Sequence, residues 1–148
     1  MPRWLAHTMS IVAALALPLA SAAQPASGAA VPKPWRVVDT FEVGANAYVR
    51  ALTVEAARNA IWVGTSVGVH EVDLDSLKAR QTFTRKEGLA NEYVFAVGID
   101  AQGYKWFGTN AGGTSRFKAG QWKTYFPLHG LADYWIYSFA SQKDGTLW

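Results

Sequence analysis

The stretch IWVGTSVGV (residues 61–69) decides the fold, because it has a near copy downstream in KWFGTNAGG (residues 105–113). Each copy contains a Trp, an apolar residue, the pair Gly-Thr and a further Gly a few residues later. A single strand in a single sheet needs no such copy. The two stretches are therefore compared with the rest of the chain as possible parts of a repeated unit.

Longer matches show that the repeat is real. ANAYVRALTV (residues 45–54) matches ANEYVFAVGI (residues 90–99), and EGLANEYVFA (residues 87–96) matches HGLADYWIYS (residues 129–138). Trp62, Trp106 and Trp148 lie 44 and 42 residues apart. Three landmarks that recur in the same order indicate a structural unit with a period a little above 40 residues.

Each unit contains short strand-like segments separated by Gly-containing turns. YVFAVGI (residues 93–99) is continuously apolar, as expected for a strand that is covered on both faces. Four strands in a unit of this length are typical of a β-propeller blade. The sequence predicts an all-β fold of blades with four antiparallel strands over residues 35–148. A propeller closes with about four to eight blades, so we expect an incomplete propeller of about two whole blades plus partial flanking units.

The N-terminal residues differ in composition. A positive start, the apolar stretch SIVAALALPLA (residues 10–20) and small residues after it predict a signal peptide over residues 1–23. The alternative is an uncleaved signal anchor, although the apolar stretch is too short for a typical membrane span. A flexible linker rich in Ala, Pro and Gly is predicted over residues 24–34. The expected location is periplasmic or secreted.

Charge and composition argue against several functions. The chain of 148 residues has a formal charge of +3, no cysteine and no run of basic residues, so nucleic-acid binding is not expected. His70 and His129 stand alone in sequence, so we predict no metal site, and no cofactor or catalytic residues are predicted either. Glu71, Asp73 and Asp75 alternate along a strand and its turn, which predicts a solvated face.

The segment GLANEYVFAVGIDAQGYKWFGTNAGGTSRF (residues 88–117) resembles the two-component regulator propeller repeat. The matching residues of this unit are Gly88, Leu89, Asp100, Gly103, Trp106, Gly108, Thr109, Gly112 and Gly113. The preceding unit matches at Trp62, Gly64, Thr65 and Gly68, but its turn EAARNA (residues 55–60) lacks the Asp and Gly. The third unit matches at Gly130, Leu131, Asp144, Gly145, Leu147 and Trp148.

The resemblance implies an exported ligand-sensing or ligand-binding propeller, in the N-terminal part of a two-component-type signalling protein. Such families carry these repeats ahead of a membrane span and a histidine-kinase module. The sequence contains no kinase motif, so no enzyme activity is predicted for this segment, and membrane attachment would require a possible downstream span. The alternatives are an exported scaffold or protein-interaction propeller, and a propeller lyase or hydrolase whose active site lies in other blades.

The repeat also predicts where a ligand binds. We expect each repeated Trp to fill the wedge between blades, with ligand stacking as the alternative. Loops that enter the innermost strands (residues 48–54, 93–99 and 134–140) share one face with the turns after Gly-Thr. The predicted ligand-binding residues on this face are Asn46, Asn91, Glu92, Tyr93, Asn110, Asp133, Tyr134 and Trp135. Aromatic rings beside amides and acids suit a small polar or carbohydrate-like ligand, and a protein partner is the alternative. Tyr93 and Trp135 are alternatively packing residues between blades, and Arg50 is expected to point to the channel or to the blade interface.

Overall fold

The computed structural model describes residues 36–148; the predicted signal peptide, the predicted linker and Trp35 lie outside the described residues. The described part contains eight strands. Their bounds are β1 Val49–Glu55, β2 Ala60–Thr65, β3 Gly68–Asp73, β4 Ala79–Phe83, β5 Val94–Ile99, β6 Lys105–Thr109, β7 Thr114–Lys118 and β8 Gln121–Tyr125. Two short 3-10 helices cover Ala56–Arg58 and Pro127–His129. No helix among the described residues is long and apolar enough to cross a membrane.

The strands form two four-stranded antiparallel sheets, each with its strands in chain order. The first sheet runs β1-β2-β3-β4 and the second β5-β6-β7-β8. Each sheet coincides with one repeat of the sequence, so the prediction of four-stranded antiparallel blades is confirmed. We call the sheets blade 1 and blade 2.

The Gly-Thr-x-x-Gly part of the motif builds the turn between the second and third strands. The Thr65 hydroxyl donates to the carbonyl of Gly68 at 2.8 Å and accepts the Val67 amide at 3.1 Å. The Thr109 hydroxyl donates in the same way to the carbonyl of Gly113 at 2.9 Å. Gly68 and Gly113 have φ angles of +127° and +73°, where a side chain is strained. A Cβ at Gly68 would also lie 2.5 Å from the carbonyl oxygen of Phe83, so a side chain fits neither the turn nor the adjacent fourth strand.

The Trp-x-Gly part of the motif packs blade 1 against blade 2. Trp62 is 1% exposed, and its ring lies 5.7 Å from Phe83 of its own blade and 5.8 Å from Phe107 of blade 2. A Cβ on Gly64 would lie 2.9 Å from Val94 Cγ1, so the absence of a side chain lets β5 approach β2. The prediction that the repeated Trp fills the wedge between blades is therefore confirmed at Trp62.

The wedge prediction does not hold equally for the other two tryptophans. Trp106 is partly buried and stacks on Tyr125 of its own blade at 5.5 Å. Trp148 is 71% exposed, and the wedge stays a prediction for this residue. Burial of the Trp requires the face of a neighbouring sheet, and among residues 36–148 only blade 1 has such a neighbour on its Trp face.

The third innermost strand, predicted at residues 134–140, is not formed as a strand. The segment nevertheless lies against blade 2 as β5 lies against blade 1, and its Ile136 amide donates to the Thr109 carbonyl of β6 at 3.3 Å. A Cβ on Gly108 would lie 2.6 Å from the Ile136 carbonyl oxygen, as one on Gly64 would meet Val94. A strand needs a paired neighbour along its length, and within residues 36–148 the only reciprocal backbone pair of this segment joins Ala140 to Trp148.

Candidate ligand-binding site

Two of the predicted site residues shape the loops that enter the innermost strands. The Asn91 side chain accepts the Tyr93 amide at 2.9 Å, and the Asp133 carboxylate accepts the Trp135 amide at 3.3 Å. Both are turns in which a short polar side chain bonds to the backbone two residues on. Asn91 and Asp133 therefore set the direction in which the following aromatic residue leaves the loop.

The predicted face is assembled around these loops. The Asn110 amide donates to the Tyr93 carbonyl at 2.9 Å, and the Gly113 amide donates to the Tyr134 carbonyl at 2.8 Å. The turn after Gly-Thr thus joins the loop of its own blade to that of the next unit. These hydrogen bonds bring Tyr93, Asn110 and Tyr134 together, with Asn91 beside Tyr93 in the same loop, and their part in ligand binding stays a prediction.

Glu92 and Asn46 are less central to this face. The Glu92 carboxylate pairs with Arg85 at 3.1 Å, so its charge is partly neutralised. Asn46 is exposed and has a left-handed φ of 60°, which an Asn tolerates in a turn. No hydrogen bond found among the described residues joins Asn46 to the other predicted residues.

Tyr93 and Trp135 belong to an aromatic cluster with residues that the sequence prediction did not include. The ring of Phe95 lies 5.3 Å from Tyr93, 6.1 Å from Trp135 and 5.0 Å from Tyr137. Phe95 is stacked with Trp135 and with Tyr137, and it meets Tyr93 edge on. Trp135 is 43% exposed, so both the packing and the ligand-binding interpretations describe part of its surface.

A β-bulge in the innermost strand of each blade explains how this cluster arises. In blade 1, Val49 pairs with Thr65 and Ala51 with Gly64, which leaves Arg50 without a partner. In blade 2, Val94 pairs with Thr109 and Ala96 with Gly108, which leaves Phe95 without one. A bulge re-aims the side chain of the extra residue.

Arg50 and Phe95 make equivalent contacts with the next unit along the chain. The Arg50 guanidinium lies 5.2 Å from the centre of the Tyr93 ring and donates to the Tyr93 hydroxyl. The next unit repeats the arrangement with Phe95 over Trp135. We call Arg50, Tyr93, Phe95, Trp135 and Tyr137 the inner-edge cluster. They come from β1, from β5 and the residue before it, and from residues 134–140.

The backbones of the two sheets are closest at β1 and β5 and farther apart at β4 and β8, as in adjacent propeller blades. The cluster therefore lies where the blades converge. Beside it is a mainly apolar groove of about 440 Å³, to which Leu131, Trp135, Tyr137 and Trp148 contribute. Flat rings beside an open apolar groove are suited to contact with a ring-bearing ligand.

A group of charged side chains lies away from this cluster, at the interface of the two blades, and its members pair with one another. Lys105 of blade 2 donates to Glu55 of blade 1 at 2.6 Å, and the other oxygen of Glu55 accepts the Trp62 indole N–H at 2.8 Å. Arg58 pairs with Glu71 at 2.8 Å. Arg58, Glu71 and Lys105 line a small cavity of about 210 Å³. These charges neutralise one another, which favours a structural role over ligand binding.

The prediction of a solvated acidic face at Glu71, Asp73 and Asp75 is wrong for Glu71. Glu71 is 5% exposed and forms ion pairs with Arg58 and Arg80. Its position opposite Trp62 in the β2–β3 pairing turns it toward blade 2. Asp73 retains the predicted solvent contact, and hydrogen bonds from Ser76 and Arg80 hold the pKa of its carboxyl well below the usual range.

His70 is a buried titratable residue away from this face. Its Nδ1 lies 2.9 Å from the Thr82 hydroxyl, while Nε2 has no hydrogen-bond partner among the described residues. Burial lowers the pKa of His70. No group of three or more His, Cys, Asp or Glu side chains suited to a metal ion occurs within residues 36–148.

The fold was compared with solved structures. The extracellular domain of a protein described as a hybrid two-component system from B. thetaiotaomicron has a TM-score of 0.67 and 23% identity, over 74% of this chain and 16% of that chain. A second such domain from this organism has a TM-score of 0.61 and 18% identity, over 68% of this chain and 15% of that chain. Another structure of that second domain, described as belonging to a one-component system, has a TM-score of 0.58 and 14% identity, with coverages of 78% and 15%.

The chain shares the fold of the matching part of these extracellular domains. The resemblance to the two-component regulator propeller repeat is thereby confirmed at the level of the fold. No protein-family model and no curated protein sequence matches the chain. The chain spans about a sixth of the length of the extracellular domains that it matches.

Proposed function

We propose that this chain is part of an exported propeller that senses a ligand, in the N-terminal region of a two-component-type signalling protein. The observation that carries the proposal is the shared fold with extracellular domains of such systems, at TM-scores of 0.67 and 0.61. Export is supported by the signal-like residues 1–23. N-terminal sequencing of the exported protein tests this part, and we expect a mature start close to Gln24.

The proposed ligand is polar and ring-bearing, with a carbohydrate as the leading type, and it binds at the face that carries Asn91, Tyr93, Asn110 and Trp135. Stacked rings offer flat apolar surfaces, and the neighbouring amides offer hydrogen bonds to hydroxyl groups. Because Asn91 and Asp133 are occupied in turns, their substitution is expected to act mainly through the position of Tyr93 and Trp135.

The test is the response of the full-length protein to a panel of oligosaccharides, measured by calorimetry and by a transcriptional reporter of the signalling pathway. We expect Trp135→Ala to abolish or strongly weaken the response. Tyr104→Ala is the matched control, since Tyr104 is a partly buried tyrosine next to the opposite end of β6. If the Trp135→Ala variant binds oligosaccharides as tightly as the wild type, a ligand site at this face is contradicted. If the full-length protein binds a protein partner but responds to no oligosaccharide, the scaffold alternative is favoured.

A further inference from the structure

The bulged position of the innermost strands carries a different side chain in each unit. Arg50 and Phe95 are the residues left unpaired by the bulges, and Tyr137 is the corresponding residue of the third unit, 42 positions after Phe95. The surrounding Gly-Thr motif is the same in both complete blades. One cationic and two aromatic side chains are thus presented at equivalent places along the inner edge.

Arg50 lacks a counter-ion within the described part of the chain. Arg58 and Arg80 of the same blade pair with carboxylates at 2.8 and 3.3 Å, but no carboxylate in residues 36–148 lies within 4.0 Å of Arg50. Its guanidinium contacts the Tyr93 ring and hydroxyl, and the side chain is exposed. Guanidinium groups bind carboxylate, sulfate and phosphate through paired N–H groups, so Arg50 can accept an anionic group from solution.

The aromatic members continue directly from Arg50. Phe95 contacts the Tyr93 ring, and beyond it Trp135 and Tyr137 are 43% and 64% exposed. The three rings of Phe95, Trp135 and Tyr137 are mutually stacked, with interplanar angles of 20° to 29°. The exposed parts of Trp135 and Tyr137 thus lie in one aromatic cluster with a single cation.

We propose that the inner-edge cluster binds an acidic oligosaccharide, with Arg50 holding a carboxylate or sulfate and the exposed surfaces of Trp135 and Tyr137 contacting the sugar. This inference rests on the proposed function. It adds that the ligand is negatively charged and that Arg50 binds the charged group. Removing Arg50 is expected to cost about 10-fold in affinity for an acidic ligand, since hydrogen bonds to charged groups are worth about 1.5–3 kcal/mol and each 1.4 kcal/mol is tenfold. The loss is expected to be smaller for a neutral sugar, because only the acidic ligand loses an ion pair with Arg50.

The experiment compares uronate-containing and sulfated oligosaccharides with their methyl-esterified or desulfated counterparts, by calorimetry on the full-length protein. We expect at least one acidic member to bind about 10-fold more tightly than its neutral counterpart, and this preference to weaken as salt is raised. Arg50→Gln should remove the preference, and Arg50→Lys should restore part of it. Lys123→Gln, which removes an exposed cation from β8, should change neither affinity.

Phe95→Ala should weaken the binding of acidic and neutral sugars alike. Arg50→Gln should melt at the same temperature as the wild type, which verifies that the charge variant is folded. Equal affinity for acidic and neutral members would overturn the inference while leaving the proposed sensor function standing. Absence of binding by every acidic member overturns it as well, and the reporter response to neutral sugars then tests the sensor function separately.

Discussion

Trp62 and Trp106 occupy equivalent positions in consecutive blades, yet their surroundings differ. Trp62 is 1% exposed between two sheets, where its indole N–H is held by Glu55 and its ring faces Phe107. Trp106 is only partly buried; its indole N–H is held by Asp100 at 2.8 Å, and its ring stacks on Tyr125 of the same blade. The local hydrogen bond is therefore a property of the repeat, whereas burial depends on the neighbouring blade.

The same contrast extends to the charged residues beside each Trp. Opposite Trp62 lies Glu71, and opposite Trp106 lies Arg116. Lys105 reaches from blade 2 to Glu55 of blade 1, so the closed interface contains an ion pair that joins two blades. Arg116 stacks 4.3 Å above the ring of Tyr104 in its own blade. A propeller interface thus combines a repeated Trp wedge with polar contacts that differ from blade to blade.

The largest effect is expected from the wedge itself. Trp62→Ala should lower the free energy of unfolding by about 3–5 kcal/mol, as for other buried aromatic residues. Trp106→Ala should cost roughly 0.5–3 kcal/mol, since its ring is less enclosed. Urea denaturation of both variants gives the difference. Equal losses would show that burial against the neighbouring blade adds nothing to the stabilisation that Trp62 provides.

The ion pair between blades should come next. Lys105→Leu leaves the largely buried Glu55 carboxylate with the Trp62 indole N–H and with Arg58, at 3.7 Å, as its remaining cation, and we expect a loss of about 3 kcal/mol. Glu55→Gln keeps a carbonyl acceptor for Trp62 and removes the charge. The double variant should therefore recover much of the loss, which a double-mutant cycle measures. Simple additivity would argue against direct coupling of Lys105 and Glu55.

A smaller effect is expected from the close approach of the sheets. Gly64→Ala places a Cβ 2.9 Å from Val94 Cγ1, and the resulting displacement should cost about 1–3 kcal/mol. Gly98→Ala is the comparison on blade 2, a less crowded glycine whose Cβ would lie 3.1 Å from Phe139 Cβ. Thermal melts should show the larger shift for Gly64→Ala, and the opposite order would indicate that residues 134–140 pack as tightly as β5.

The smallest expected effect is a dependence of stability on pH, which comes from a buried histidine that is present in blade 1 and absent from the equivalent place in blade 2. His70 of blade 1 and Ser115 of blade 2 occupy equivalent places in β3 and β7. Because burial lowers the pKa of His70, the unfolded chain binds more protons as pH falls through about 6.5, and stability should decrease from pH 7 to pH 5. His70→Ser should flatten this dependence. An unchanged pH profile in the variant would assign the effect to other groups.

The sequence predicted the blades because the repeat determines their strands locally. The Gly-Thr turn, the Gly with positive φ and the buried Trp62 each serve a contact within one unit or with the next, so their recurrence carries the fold. The loops with Asn91 and Asp133 were predicted for the same reason. Glu71 was misjudged because alternation along β3 does not tell which face lies against another sheet.

The inner-edge cluster was only partly predictable. Tyr93 and Trp135 follow from the repeat, at the start of the predicted innermost strands. For Arg50 the pattern allows two directions, and it indicates only that Phe95 and Tyr137 belong to apolar strands. A bulge changes the direction of one side chain without leaving a mark in the hydrophobic pattern. Its position emerges only when the pairing partners of β1 and β5 are known.

The bulge also has an evolutionary consequence. Its extra residue has no cross-strand partner, so a substitution at Arg50 or Phe95 disturbs neither the ladder nor the Trp wedge. Within this one chain the position already varies among Arg, Phe and Tyr, while Trp, Gly and Thr recur around it. Each blade therefore contributes one variable side chain to a fixed frame, and duplication of blades followed by changes at this position would alter the chemistry of the inner edge without redesign of the fold.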